Sequence, residues 1–385
     1  MSALLVDIHE QIDALLAAPT YTLEPAEHHS RVLAVLQAEL TYAAERSGQY
    51  GQYLDAWPVD YRAATGIADL PYLPVGALKA NPPLALAPPE KLIRTLTSSA
   101  TTGQTPSRVA LDAETSKRMI KGVTTIVSDF IGPKRRPYLV IDGPATLAGQ
   151  GELGARGAAI QGLRPFATDV VCCLNGDSSG RLEIDEDKLF AFAEKWRNCE
   201  VLAYGFTYVV WQHLVVPLRA RGIRLEMPNI RLLHSGGWKR LQDQAVTRAA
   251  FAAGCAAVFG CAESRVVDFY GMVENVGVIY PDCDRGYKHV PAFADVIVRD
   301  PLTLRPVAAG REGLVQVCST LPTSFPGFLL LTDDIAEVIR YDGCPCGRRG
   351  MSFRFVKRVP KTELRGCGNI ETTRQRPPAD QAINV

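Results

Sequence analysis

Residues 96–105, LTSSATTGQT, place six hydroxyl side chains and one glycine in ten positions. A loop that grips phosphate needs backbone N–H groups turned inward and small side chains that let the anion approach. Ser98, Ser99, Thr101 and Thr102 add hydroxyl donors without bulk, and Gly103 relaxes the backbone. The Gly-Lys-Ser/Thr ending of a Walker A loop is absent. A plain Ser/Thr-rich surface loop is the alternative reading of the same residues.

Ten cysteines stand in 385 residues, and several sit among apolar neighbours as small hydrophobes would. Four residues differ. CPCGRRG sets Cys344 and Cys346 on either side of one proline, and DCDRGYKHV offers Cys283 and His289. Three thiolates and one imidazole would complete a tetrahedral structural Zn2+ site. Cys367, in LRGCGN, lies between two glycines with Arg365 and Lys361 nearby. Mobile backbone and cationic neighbours favour a thiolate nucleophile.

Further motifs follow in order. TSSATTG resembles the phosphate loop of the adenylate-forming superfamily of acyl-CoA synthetases and luciferases. LLHSGGW (232–238) resembles its turn beside adenine, DFYGMVENVG (268–277) its Tyr-Gly-x-Thr-Glu motif, and LLLTDDIAEV (329–338) its ribose-holding Thr-Gly-Asp motif. FRFVKRVPKTELRG (353–366) sits where the hinge would fall. SSATTGQTPSRVALDAETSKRM, DFYGMVENVGVIYPDCD and CPCGRRGMSFRFVKRVPKTELRGCGN resemble the LuxE-type acyl-protein synthetases, with phenylacetate–CoA ligases as more distant relatives.

The resemblance implies activation of a fatty or aromatic carboxylic acid by ATP and Mg2+. Acyl transfer to a thiol would follow. Ser98, Ser99, Thr101, Thr102 and Gly103 would hold the β- and γ-phosphates, and Glu274 would ligate Mg2+. Tyr270, followed by Gly271, would pack on adenine, with Gly236 and Gly237 leaving space for it. Asp334 would hold the ribose, and Arg358 would lie near ribose or phosphate. Cys367 would take the acyl group before an acyl carrier protein, CoA or a reductase partner receives it. In some phenylacetate–CoA ligase relatives a similar Cys/His set binds structural zinc. Tyr204, Phe206 and His213 are candidates for the acid pocket; a core or surface role for His213 is the alternative. Ala100 and Asp333 replace glycines of the motifs, Val273 stands where a threonine is usual, and Ser107 and Arg108 follow the loop's proline. The alternatives are an acyl-CoA ligase without a covalent acyl-enzyme and a non-catalytic binding relative.

These groups need a scaffold. Leu5, Ile8, Ile12, Leu15 and Leu16 predict a first helix, and residues 26–46 a second. Residues 55–89, rich in Pro and Ala, predict an irregular connection. Short apolar runs at 137–143, 169–176, 200–206 and 230–237, with helical patterns at 185–197 and 241–259, predict an α/β parallel sheet covered on both faces. After Tyr270 the strands crowd together, predicting a β-rich subdomain, a small distorted barrel. The expected organisation is a helical N-terminal region (1–90), an α/β nucleotide-binding core (91–275), a β-rich subdomain (276–358) and a short mobile tail (359–385). The superfamily's C-terminal domain would be truncated. Net charge is +1 with 42 basic and 41 acidic residues, which gives no nucleic-acid footprint. No apolar run approaches the ~20 residues of a membrane span, and the start lacks a secretory signal. A cytoplasmic location is expected.

Overall fold

A computed structural model describes residues 2–98, 105–147, 152–176, 181–238 and 245–359. Among them no helix is long and apolar enough to cross a membrane. The chain opens with α1 (Ala3–Ala17), α2 (Pro25–Arg46) and α3 (Gly48–Asp55). Ser2 Oγ accepts from Leu5 N at the start of α1, and Pro25 opens α2 at a position where its missing N–H costs no hydrogen bond. The connection to residue 89 is irregular apart from 3-10 turns and the two-residue strand β1 (Leu73–Pro74).

A hairpin of β2 (Leu92–Thr97) and β3 (Arg108–Asp112) then leads into α4 (Ala113–Ile131), where Asp112 Oδ1 caps Thr115 N at 2.8 Å. The α/β layer follows. It contains β4 (Arg136–Val140), β5 (Glu152–Gly154), α5 (Ala155–Leu163) and β6 (Ala167–Cys172). Next come β7 (Leu174–Gly176), β8 (Leu182–Ile184), α6 (Glu186–Trp196) and β9 (Val201–Phe206). A short α7 (Thr207–Val210) runs into a π-helical turn, Trp211–Val215, and α8 (Val216–Ala220). Then come β10 (Ile230–Ser235), α9 (Arg248–Phe259), β11 (Val266–Gly271) and β12 (Ile279–Pro281).

The main sheet runs β12-β11-β10-β9-β4-β6. All its pairs are parallel except β11–β12. β4 and β9 are buried at every residue, as a sheet covered on both faces requires. The apolar run 169–176 is not one strand. Cys173 N turns to Val140 O, ending the ladder, and Leu174 begins a hairpin with β8. The run 230–237 stops at Ser235 because Gly236 takes φ +74°.

The rest is β-rich: β13 (Lys288–His289), β14 (Ala294–Arg299), β15 (Glu312–Ser319), β16 (Leu329–Arg340) and β17 (Ser352–Arg358). Their order is β13-β17-β16-β15-β14, with β1 added beside β16. The end strands β13 and β14 do not pair, so among the described residues this is an open sheet rather than a barrel. α1 and α2 share a core with it, where Ile8, Leu36, Phe293, Phe328 and Phe353 are buried. The α/β layer has its own core around Leu139, Leu202, Leu232 and Phe259. Each such side chain contributes about 1.5–3 kcal/mol on burial.

Candidate functional site

Of the hydroxyl loop, Ser98 is described; Ser99, Thr101, Thr102 and Gly103 lie outside the described residues, as does Cys367. Ser98 closes the loop's base. Its N donates to Ser107 O at 3.0 Å, and its Oγ accepts from Ser107 N at 2.8 Å. Ser98 and Ser107 are thereby held together at the mouth of the β2–β3 hairpin, and β3 leads on into α4. At Gly122 a Cβ would lie 2.5 Å from Gly277 O, and at Gly277 one would lie 2.8 Å from Met119 Cα. Gly277 also has φ +78°. Backbone therefore meets backbone, because neither residue has a side chain. Gly277 ends the β11–β12 turn that holds Glu274, so the loop's helix and the Glu274 turn are one rigid contact. Glu274 is 6% exposed and accepts no hydrogen bond among the described residues. A carboxylate buried in this way suits a cation.

Tyr270, Asp334 and Arg358 come together from three strands. Tyr270 Oη donates to Asp334 Oδ2 at 2.9 Å. Arg358 forks onto the same carboxylate, Nε to Oδ1 at 2.8 Å and Nη2 to Oδ2 at 3.2 Å. Asp334 is buried while Arg358 is exposed. Burial and then the Asp334 charge push the Tyr270 hydroxyl well above its usual range, so it stays a donor. Hydrogen bonds to Asp334 raise Arg358, and the charge of Glu274 acts in the same direction. Tyr270 stacks on Phe355 at 5.4 Å and on Tyr280 at 5.9 Å. Asp333, at a glycine position of the motif, lies in β16 without left-handed φ, so the substitution carries no backbone strain.

At the carboxyl ends of β9 and β10, Gly236 faces Phe206: a Cβ there would meet Phe206 Cδ2 at 3.1 Å. Gly237 has open space around its Cβ position. Gly271 ends β11, where a Cβ would lie 3.1 Å from Ile279 Cγ2. Tyr204 is fully buried, hydrogen-bonded to Ser235 Oγ at 3.0 Å and stacked on Phe269. His213 sits in the π-helical turn and its Nδ1 is 2.8 Å from Leu182 O, on the β8 side of the sheet. π-turns inside helices are frequent at functional sites.

Cys283, His289, Cys344 and Cys346 present ligand atoms all within 4.8 Å of one another. His289 Nε2 is 3.3 Å from Cys346 Sγ. A tetrahedral Zn2+ with ligands ~2.0–2.3 Å away spaces its donors ~3.3–3.8 Å apart, which this cluster can meet. Burial, aided by Arg348, lowers His289 to about 4, so the ring is neutral, the form that ligates metal.

The chain matches the family described as acyl-protein synthetase, LuxE, over residues 5–374. It belongs to that family. Among curated proteins, long-chain-fatty-acid–luciferin-component ligase of Vibrio harveyi is 29% identical over 140 residues, and its Aliivibrio fischeri counterpart 30% over 142. Each match spans 36% of this chain and 36% of the relative, about a third of its length. A solved 2-hydroxyisobutyryl-CoA ligase, in an open conformation with 2-HIB-AMP and CoA, aligns with TM-score 0.66 at 17% identity. That alignment covers 88% of this chain and 76% of that one, a likeness of fold.

This LuxE-family chain also holds groups that its sequence did not single out. His234 is buried beside Thr207. Thr207 Oγ1 donates to Ser235 O at 3.1 Å, so it accepts from His234 Nδ1 at 3.0 Å, which assigns the Nδ1–H tautomer. Burial lowers His234 to about 4. Next to it Lys288, fully buried, donates to Asp268 at 2.9 Å and to Asp282 at 3.1 Å, and Arg248 pairs with Asp282. This network ties β11 and β12 to the strand bearing His289. Its members span residues 234–288, so only the register His234↔Asp268 and the folded turns bring them together.

Proposed function

We propose that this chain couples ATP to a carboxylic acid, fatty or aromatic, and passes the acyl group to a thiol. A carboxylate oxygen bonds to the α-phosphorus as the bond to the departing pyrophosphate breaks. A thiolate then bonds to the acyl carbon and AMP leaves. Mg2+ held at Glu274 would neutralise charge on the phosphate oxygens. Ser98, Ser99, Thr101, Thr102 and Gly103 hold the β- and γ-phosphates. Tyr270 and Gly271, with Gly236 and Gly237, bound the adenine. A carboxylate offers about four acceptor positions; Tyr270 and Arg358 take three at Asp334, leaving one for a ribose hydroxyl. Tyr204 and Phe206 wall the acid pocket, and His213 backs that wall. Cys283, His289, Cys344 and Cys346 hold a structural Zn2+ that braces the turns around the β-rich sheet.

The observation that carries this reading is the convergence of Tyr270, Asp334 and Arg358 beside Glu274, whose turn touches the helix of the hydroxyl loop. The relatives' names support a long-chain fatty acid. The final acceptor is a carrier protein, CoA or a reductase partner after Cys367. Intact-protein mass spectrometry after incubation with ATP, Mg2+ and tetradecanoate tests it. A tetradecanoyl mass increment on the wild type, lost in Cys367→Ala while acyl-adenylate and pyrophosphate still form, is expected. Undiminished acyl-CoA production by Cys367→Ala would instead establish direct ligation to CoA.

A further inference from the structure

Arg156, in the first turn of α5, lies at the carboxyl edge of the parallel sheet, where ligands of such sheets bind. Two placements fix it. Gly154, two residues earlier, pairs in register with Thr97, the residue before Ser98 at the mouth of the hydroxyl loop. On its other side, Arg156 Nη1 donates to Tyr208 Oη at 3.2 Å, and Tyr208 packs edge-on against Phe206, the ring facing Gly236. Arg156 therefore stands between the base of the β2–β3 hairpin at Thr97 and the ring of Phe206.

Its guanidinium is held from behind. Nε is 3.3 Å from Asp142 Oδ2, and Nη2 donates to Thr146 Oγ1 at 3.3 Å. Asp142 is itself locked: its Oδ1 accepts from Gly143 N at 2.8 Å and from Thr146 Oγ1 at 2.7 Å. The Asp142 side chain is 2% exposed and that of Arg156 31%. A guanidinium has five N–H donors. Nη1 and Nη2 each give one N–H to a hydrogen bond and Nε pairs with Asp142 by charge, so among the described residues one N–H on each terminal nitrogen is left over. Spare donors on both terminal nitrogens, on a cation whose orientation is already fixed, suit a carboxylate.

We propose that Arg156 is a carboxylate-binding residue that seats the acid's head group beside the phosphate loop before activation. The inference rests on the acid-activation reading. The Asp142 charge, buried behind the guanidinium, fixes its direction, so the residue binds by geometry as well as by charge.

The test uses the full chain, tetradecanoate and ATP–Mg2+, with acid-dependent exchange of labelled pyrophosphate into ATP as readout. Arg156→Ala leaves Asp142 unpaired, so Arg156→Lys and the double variant Asp142→Asn/Arg156→Gln, which buries no lone charge, are measured beside it. The expected result is a KM for tetradecanoate raised roughly 10- to 100-fold in the double variant, the range for a charge-assisted hydrogen bond. The KM for ATP stays within about threefold, and Arg156→Lys recovers part of the acid KM. An unchanged acid KM, or equal shifts for acid and ATP, overturns the inference. Calorimetric binding separates its failure from failure of the activation reading. Wild-type protein should bind tetradecanoate more tightly than tetradecanol even without exchange, and the double variant should lose that preference. Equal binding of acid and alcohol by the wild type also overturns it.

Discussion

Glu274 is a buried carboxylate with no protein hydrogen bond among the described residues, one charge from Arg358 and one turn from Tyr270. Replacing it with Gln keeps the shape and removes the cation ligand. Pyrophosphate exchange should fall at least about 100-fold, the scale of losing one preorganised electrostatic contact, while the thermal midpoint stays near that of the wild type. Glu39 makes the opposite case. It is 1% exposed with both oxygens unpartnered. Burial, only partly offset by Arg118, raises it well above its ordinary 4.5. The folded state therefore holds this proton more tightly than the unfolded state. Its stabilising contribution is complete below pH 4.5 and is lost as pH rises towards the folded-state value. Glu39→Gln should raise the thermal midpoint at pH 8 and change it little at pH 5; a lower midpoint at both would contradict this. The runs that hold Glu274, Tyr270 and Asp334 stand out in the sequence because their motifs are local. Glu39, His234 and Arg156 were not, since partners such as Arg118, Thr207 and Tyr208 stand 27 to 79 residues away in the chain.

The element that sets the site's dimensions is α4. It leaves the hydroxyl hairpin through the Asp112 cap and touches the Glu274 turn at Gly122 and Gly277. Gly122→Ala would push a methyl to 2.5 Å from a carbonyl oxygen and 2.9 Å from Leu321 Cδ1. Overpacking of this kind costs about 1–3 kcal/mol, and here it also shifts Glu274 against the loop. The expected kinetic result is a KM for ATP–Mg2+ raised more than that for acid; a lower thermal midpoint with unchanged KM values would make the contact merely structural. Apolar periodicity found α1, α2, β4 and β9, whose burial is regular. It missed the break at Cys173 and the start of α9 at Arg248, because a backbone hydrogen bond and the Thr247 cap decide them. The glycine contact was invisible for a related reason: Gly122 sits inside a helix and signals its neighbour only once folded.

Across the whole molecule, two cores meet along α4 and β11, and Ile279 of β12 packs against both. The N-terminal helices share apolar packing with the β-rich sheet, and the α/β layer packs around its own strands. Lys288 bridges β11 and β12 beside the Cys283–His289–Cys344–Cys346 cluster. If that cluster holds Zn2+, its binding energy is folding energy. Removal by a chelator, or Cys344→Ser, should lower the thermal midpoint by about 5 °C or more, with one bound zinc per chain lost by elemental analysis; an unchanged midpoint and no zinc would remove the metal from the account. The four clustered residues were legible as a Cys-x-Cys turn and a Cys/His pair, whereas the open sheet behind them was expected to close as a barrel. The most direct measurement of the central claim, that the hydroxyl loop and Glu274 meet around an ATP–Mg2+ complex to activate an acid, is acid-dependent exchange of labelled pyrophosphate into ATP. Wild-type protein should exchange with tetradecanoate, and Glu274→Gln should lose that exchange. Full exchange by Glu274→Gln, or none by the wild type across fatty and aromatic acids despite nucleotide binding, would contradict it.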